Sequence, residues 1–110
     1  MFQIRRYKRT AYNFEVDAVR VDLGNLWQVA AWTGGEVCVT QDQSRRKYVR
    51  VYTTDKKSPI RKAYAGDWVV KLDHGAKKVY NHDAFHKSFD LVEPPVELMD
   101  AYRGGKPKEE

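Results

Sequence analysis

The stretch GDWVVKLDHGAKKVY, residues 66–80, decides the fold class. Gly66 and Asp67 form a turn, because glycine tolerates positive φ and an aspartate can bond its own backbone. Trp68 to Leu72 is a nearly unbroken apolar run of strand length, the pattern of a strand buried on both faces and so central in its sheet. "DHGA" then turns the chain back into "KKVY", which makes the two runs an antiparallel hairpin.

Upstream, "EVCVT" and "KYVRVYT" are β-branched and aromatic runs separated by the polar "QDQSRR", a second hairpin. Within it Val49 and Val51 share one face, and Tyr48, Arg50 and Tyr52 share the other. "TDKKSP" is a loop, with Pro59 holding Ser58 extended. In "DLGNLWQVAAWTGG" the spacing of Leu23, Leu26, Trp27 and Ala30 predicts a helix over about residues 23–33, capped by Asp22 or Asn25 and stopped by Gly34 and Gly35. "FEVDAVRV" alternates from Phe14 to Ala18 and then changes phase at Val19, which a bulge in the strand would explain. Downstream, "NHDAFHKSF" predicts a short helix over about residues 82–88, capped by Asn81 or Asp83, with Phe85 and Phe89 anchoring it. "DLVE" closes as a short strand before Pro94 and Pro95.

About six short strands, one main helix and one short helix predict a single α+β domain with mainly antiparallel pairing, either a strongly bent sheet or a partly open barrel. The expected division is a basic N-terminal arm over 1–12, the domain over 13–102 and a disordered tail over 103–110. The expected core is Phe14, Val16, Leu26, Trp27, Ala30, Val49, Val51, Trp68, Val70, Phe85 and Phe89.

At 110 residues and 42% hydrophobic, the chain can bury one core without a metal or a disulfide. Its single cysteine, Cys38, lies in an apolar run, which fits a reduced, intracellular setting. No apolar run approaches the ~18 residues of a membrane span, and no apolar segment follows the basic N-terminus as in a secretory leader. The net charge of +5 is unevenly placed. Residues 1–12 hold Arg5, Arg6, Lys8 and Arg9 with no acid, and Ser44 to Lys62 holds eight of the twenty Lys and Arg with Asp55 as its one acid. Two basic blocks alternating with acidic segments predict a polarised surface that favours anionic partners.

Three stretches in this order, "NLWQVAAWTGGEV" (Asn25–Val37), "AGDWVV" (Ala65–Val70) and "YNHDAFHKSF" (Tyr80–Phe89), resemble a group of small proteins of tailed bacteriophages, especially those of actinobacteria. The group is named for a Pro-Gly-Asp-Tyr-Gly motif. Here that motif reads Ala65, Gly66, Asp67, Trp68, Val69, retaining two of its five residues. The resemblance covers residues 13–92 and implies a phage accessory protein in the bacterial cytoplasm; it implies no particular reaction. The basic block Ser44–Lys62 departs from the group's pattern.

No catalytic signature is present, so a non-enzymatic role is expected. His82 and His86 stand at i, i+4 with Asp83 between them, a metal-ligating spacing that lacks a third ligand nearby other than His74, and no metal is expected. Asp73 with His74 has no nucleophile beside it. There is neither a P-loop nor a dinucleotide glycine pattern, so no cofactor is expected. Trp27 and Trp68 fit a core better than a base-stacking platform, whereas Trp32 fits either.

The Tyr48, Arg50, Tyr52 face alternates aromatic and cationic side chains, which can stack bases and bind phosphates without reading sequence; equally, its tyrosines can cover neighbouring strands. The expected anion-binding set is Arg45, Arg46, Lys47, Tyr48, Arg50, Tyr52, Lys56, Lys57, Arg61 and Lys62, with Arg5, Arg6, Lys8 and Arg9 as an arm. The expected partner is nucleic acid, or else an acidic host protein.

Overall fold

The computed structural model describes residues 2–12, 14–54, 56 and 59–92. Chain order is β1 (Arg5–Arg9), β2 (Glu15–Arg20), α1 (Leu26–Thr33), β3 (Glu36–Val39), β4 (Lys47–Tyr52), β5 (Ile60–Tyr64), β6 (Trp68–Lys71), β7 (Lys77–Tyr80), α2 (His82–Ser88) and β8 (Phe89–Leu91). This is the α+β domain expected, with antiparallel pairing throughout. The strands divide into a five-stranded sheet, β7-β6-β2-β1-β8, and a three-stranded sheet, β3-β4-β5, and neither closes into a barrel.

β2 explains the architecture. Its register against β1 and β6 runs without interruption, so the change of phase at Val19 is not a bulge. Instead the strand is buried on both faces. Val16 and Ala18 enter a cluster with Tyr7, Trp68, Val70, Phe85 and Phe89 under α2. Val19 and Val21 enter a second cluster with Leu26, Val29, Val49, Val51 and Val69, shared by α1, β4 and β6. β6 obeys the same rule, with Trp68 and Val70 on one side and Val69 on the other. The apolar run of residues 68–72 is thus an interior strand, as expected.

The turn at Gly66 and Asp67 is structural. Gly66 has φ +96°, the Asp67 carboxylate accepts from the Tyr64 amide at 2.9 Å, and Gly66 N–H donates to Val21 O at 2.7 Å. Gly75, φ +97°, turns β6 into β7. α2 is capped by Asn81, whose Oδ1 accepts from Ala84 N–H at 2.7 Å.

Three expectations are corrected here. α1 starts at Leu26, because the buried Asn25 side chain turns back to accept from Asp22 N–H and donate to Arg20 O. The inward stripe is therefore Leu26, Val29, Ala30 and Thr33, and Trp27, about 100° away on the helix, is 75% exposed, with Leu23 at 70%. Phe14 lies just before β2 at 42% exposure, stacked on Tyr12 instead of entering the core. Finally, the basic segment set apart as an arm is strand β1, paired on both sides by β2 and β8. The expected tail over 103–110, the end of the domain over 93–102 and Lys57 lie outside the described residues.

Candidate nucleic-acid interface

β4 runs between β3 and β5, and strand alternation sends Val49 and Val51 into the core while Tyr48, Arg50 and Tyr52 face outward. The register then assembles the outer face in rows. Arg50 stands between Glu36 and Lys62, Tyr48 between Cys38 and Tyr64, and Tyr52 opposite Ile60. Arg46 lies over the Tyr64 ring at 4.1 Å, and the Lys62 ammonium lies 5.2 Å from the centre of the Tyr48 ring. The tyrosines meet each other at 5.4 Å.

This geometry assigns the tyrosines a supporting role. Tyr48 is only 7% exposed, so its ring is not open to a base; it carries Lys62 above it and covers the neighbouring strand. Tyr52 donates its hydroxyl to Glu36 at 2.7 Å, and Arg50 approaches the same carboxylate at 3.7 Å. Tyr52 and the other neighbours of Arg50 push its ionisation further up, so Arg50 is a permanent cation. Among the described residues of this face, Arg46, Arg50 and Lys62 outnumber the single acid Glu36.

The loop that supplies Arg45, Arg46 and Lys47 is built around Asp42. Its carboxylate accepts from Thr40 Oγ1 at 2.8 Å, Ser44 Oγ at 2.5 Å and Ser44 N–H at 3.1 Å. These partners, the Ser44 hydroxyl first and then that of Thr40, hold the carboxyl below its usual range. Thr40 Oγ1 in turn accepts from Arg46 N–H at 2.9 Å. Arg45 takes φ +49°, a left-handed conformation uncommon outside glycine, just before the chain enters β4.

The structure does not place the whole expected set on one face. Lys47 and Arg61 have the opposite parity to Arg50 and Lys62. Arg61 lines a groove of about 420 Å³ with Thr53, Pro59, Lys77, Lys78 and Tyr80. Lys56 is exposed in the loop before β5. In β1, Arg6 is engaged by Asp17 at 3.0 Å, Asp73 at 3.1 Å and Glu15 at 3.2 Å, and Arg9 leans on Phe89 and Tyr12, while Arg5 and Lys8 are exposed in the middle of a sheet. None of the four belongs to a free clamp.

Sequence reasoning missed Tyr64, Lys77 and Lys78. Pairing "IRKAY" with β4 in register would have put Tyr64 beside Tyr48, whereas the lysines of "KKVY" join Arg61 only through the meeting of two sheets.

His82 Nδ1 accepts from Trp68 Nε1 at 3.3 Å, and the His82 and His86 rings lie 4.4 Å apart. Among the described residues no group of three or more His, Cys, Asp or Glu is arranged to hold a metal ion. Asp73 is committed to Arg6 instead of to His74. No helix among the described residues is long and apolar enough to cross a membrane. Comparison with protein-family models, with curated proteins and with solved structures finds no match to the chain.

Proposed function

We propose that this chain is a small, non-enzymatic binding protein for an anionic partner, most simply nucleic acid, which lies across the outer face of β3, β4 and β5. The observation that carries the reading is the direct cross-strand pairing of Arg50 with Lys62, beside Arg46. Like charges placed opposite each other destabilise a sheet by a few tenths of a kcal/mol to ~1 kcal/mol, and a bound phosphate removes that repulsion. The Asp42-centred loop adds Arg45 next to Arg46, where the chain enters β4. Phosphate contact by cations held on tyrosine rings supports affinity without sequence readout.

A fluorescent single-stranded oligonucleotide should bind measurably at about 50 mM salt, where electrostatic binders are strongest. No binding there would overturn the reading.

A second reading, an inhibitor or modulator of a host protein, is favoured by exposed Leu23 and Trp27, since Leu23 lines a surface hollow with Arg45, Arg46 and Lys47. A pull-down from bacterial lysate separates the two: partners lost on nuclease treatment support nucleic acid, and one nuclease-resistant protein supports the host target. The three stretches that resemble actinophage proteins support placing either activity in an infected bacterial cytoplasm, as a phage accessory function.

A further inference from the structure

α2 packs Phe85 over one face of the five-stranded sheet and leaves part of that face open. The opening is a slot of about 220 Å³ whose floor is Val16, Val70 and Leu72 and whose walls are Tyr12, Phe14, Tyr80 and Phe89. A slot of that size holds one ring system and not a whole drug-sized ligand, which needs about 300–1,000 Å³. Its aromatic walls are partly formed by side chains the fold leaves outside the core, since Phe14 and Tyr12 stack on each other at 6.4 Å with 22° between their planes.

Two cations stand at the slot. The Arg9 guanidinium lies 5.2 Å from the centre of the Phe89 ring and 5.9 Å from that of Tyr12, and donates to Tyr80 Oη at 3.4 Å. Lys78 lines the slot and also the 420 Å³ groove beyond it, where Arg61 and Lys77 are found. Among the described residues no acid lines either space, and neither Arg9 nor Lys78 has an ion-pair partner. Tyr80, like Lys78, borders both.

We propose that this pair of cavities binds a nucleotide carrying more than one phosphate, free or at the end of a strand, with its base in the slot and its phosphates leading past Lys78 towards Lys77 and Arg61. An aromatic slot that opens onto a groove with three cations matches a planar ring joined to several negative charges; an aromatic monocarboxylate would leave the groove empty. The site uses none of Arg46, Arg50 and Lys62, so it stands or falls separately from the outer face.

Calorimetric titration of the full chain with ATP, adenosine and tripolyphosphate tests it. ATP should bind at least tenfold tighter than either fragment. Phe14→Ala, at an exposed position, should weaken ATP by about tenfold, the lower part of the range for a lost base stack, and leave tripolyphosphate unchanged. Lys78→Gln should weaken both, with the melting temperature unchanged in each variant. A 5′-triphosphorylated pentanucleotide binding as tightly as ATP assigns the site to strand ends, and ATP binding alone assigns it to free nucleotide. Tripolyphosphate matching ATP, ATP affinity untouched by Phe14→Ala, or no ATP binding at millimolar concentration would each overturn the proposal.

Discussion

Replacing Trp68 and Trp27 in turn by alanine should give opposite results from the same chemical change. Trp68 is 8% exposed, stacks on Phe85 with centroids 4.2 Å apart, meets Tyr7 edge-on at 5.6 Å and donates to His82. Removing it deletes the largest side chain of the cluster under α2 and leaves a cavity, a change that costs about 3–5 kcal/mol. Against the ~5–15 kcal/mol that holds a small domain together, and at roughly 4–8 °C per kcal/mol, the melting temperature should fall by at least about 12 °C. Trp27, 75% exposed on the outside of α1, should change stability by less than about 0.5 kcal/mol. Urea denaturation followed by far-UV circular dichroism is the assay, since each substitution also removes a fluorophore. A Trp68→Ala loss below about 1 kcal/mol, or a Trp27→Ala loss equal to it, would refute the two-sided packing of the five-stranded sheet.

Gly35→Ala should be among the costlier small substitutions, at about 1–3 kcal/mol or more, because a Cβ there would overlap the backbone carbonyl of Arg50, which cannot move without shifting β4; a neutral result in thermal melts would contradict the close approach. For Asp42, whose folded carboxyl lies below its unfolded value of ~3.9, the stabilisation of the loop is fully present above that value and is lost as pH falls through the lower folded one. The amide shifts of Ser44 and Arg45 should accordingly titrate with a midpoint below about 3.9, and a midpoint at or above it would show that the hydroxyl contacts are not made. Purified protein should carry no stoichiometric zinc by elemental analysis, because His82 is turned to Trp68 and, among the described residues, no third ligand joins it and His86; one tightly held equivalent would contradict this.

The fold was legible wherever a local pattern had one physical solution. The apolar run after Gly66 fitted an interior strand, and the two hairpins and the short helix after Tyr80 followed from turn and capping chemistry, with Asn81 chosen over Asp83 as the cap by the structure. What misled was ambiguity of phase. In β2 the step from Ala18 to Val19 reads equally as a bulge or as burial on both faces, and only the strands on either side decide between them. On α1, Trp27 and Val29 compete for the inward stripe, and the packing against β4 selects the smaller residue. The basic N-terminus looked like an arm because β1 alternates weakly, with Tyr7 its one buried residue; its place comes from pairing with β8, at the far end of the described chain.

Which side chains of β4 face outward was readable from alternation alone, Arg50 among them. Its companions were not, since Lys62 and Tyr64 depend on cross-strand register. Nor could the sequence reveal that Tyr48 is overlain by Lys62, which changes a stacking platform into a support for charge.

The most direct test of the outer face is the salt dependence of oligonucleotide binding by the chain and by its Arg46→Gln, Arg50→Gln, Lys62→Gln triple variant. Each phosphate contact on a single strand contributes about 0.7 to the slope of log K against log salt, so the variant should lose about 2 units of slope while melting within a few degrees of the parent. Replacing Tyr52 with Leu should leave the slope unchanged, because Tyr52 serves Glu36 and carries no phosphate. Equal slopes for parent and triple variant, with binding intact, would contradict the assignment of this face to nucleic acid.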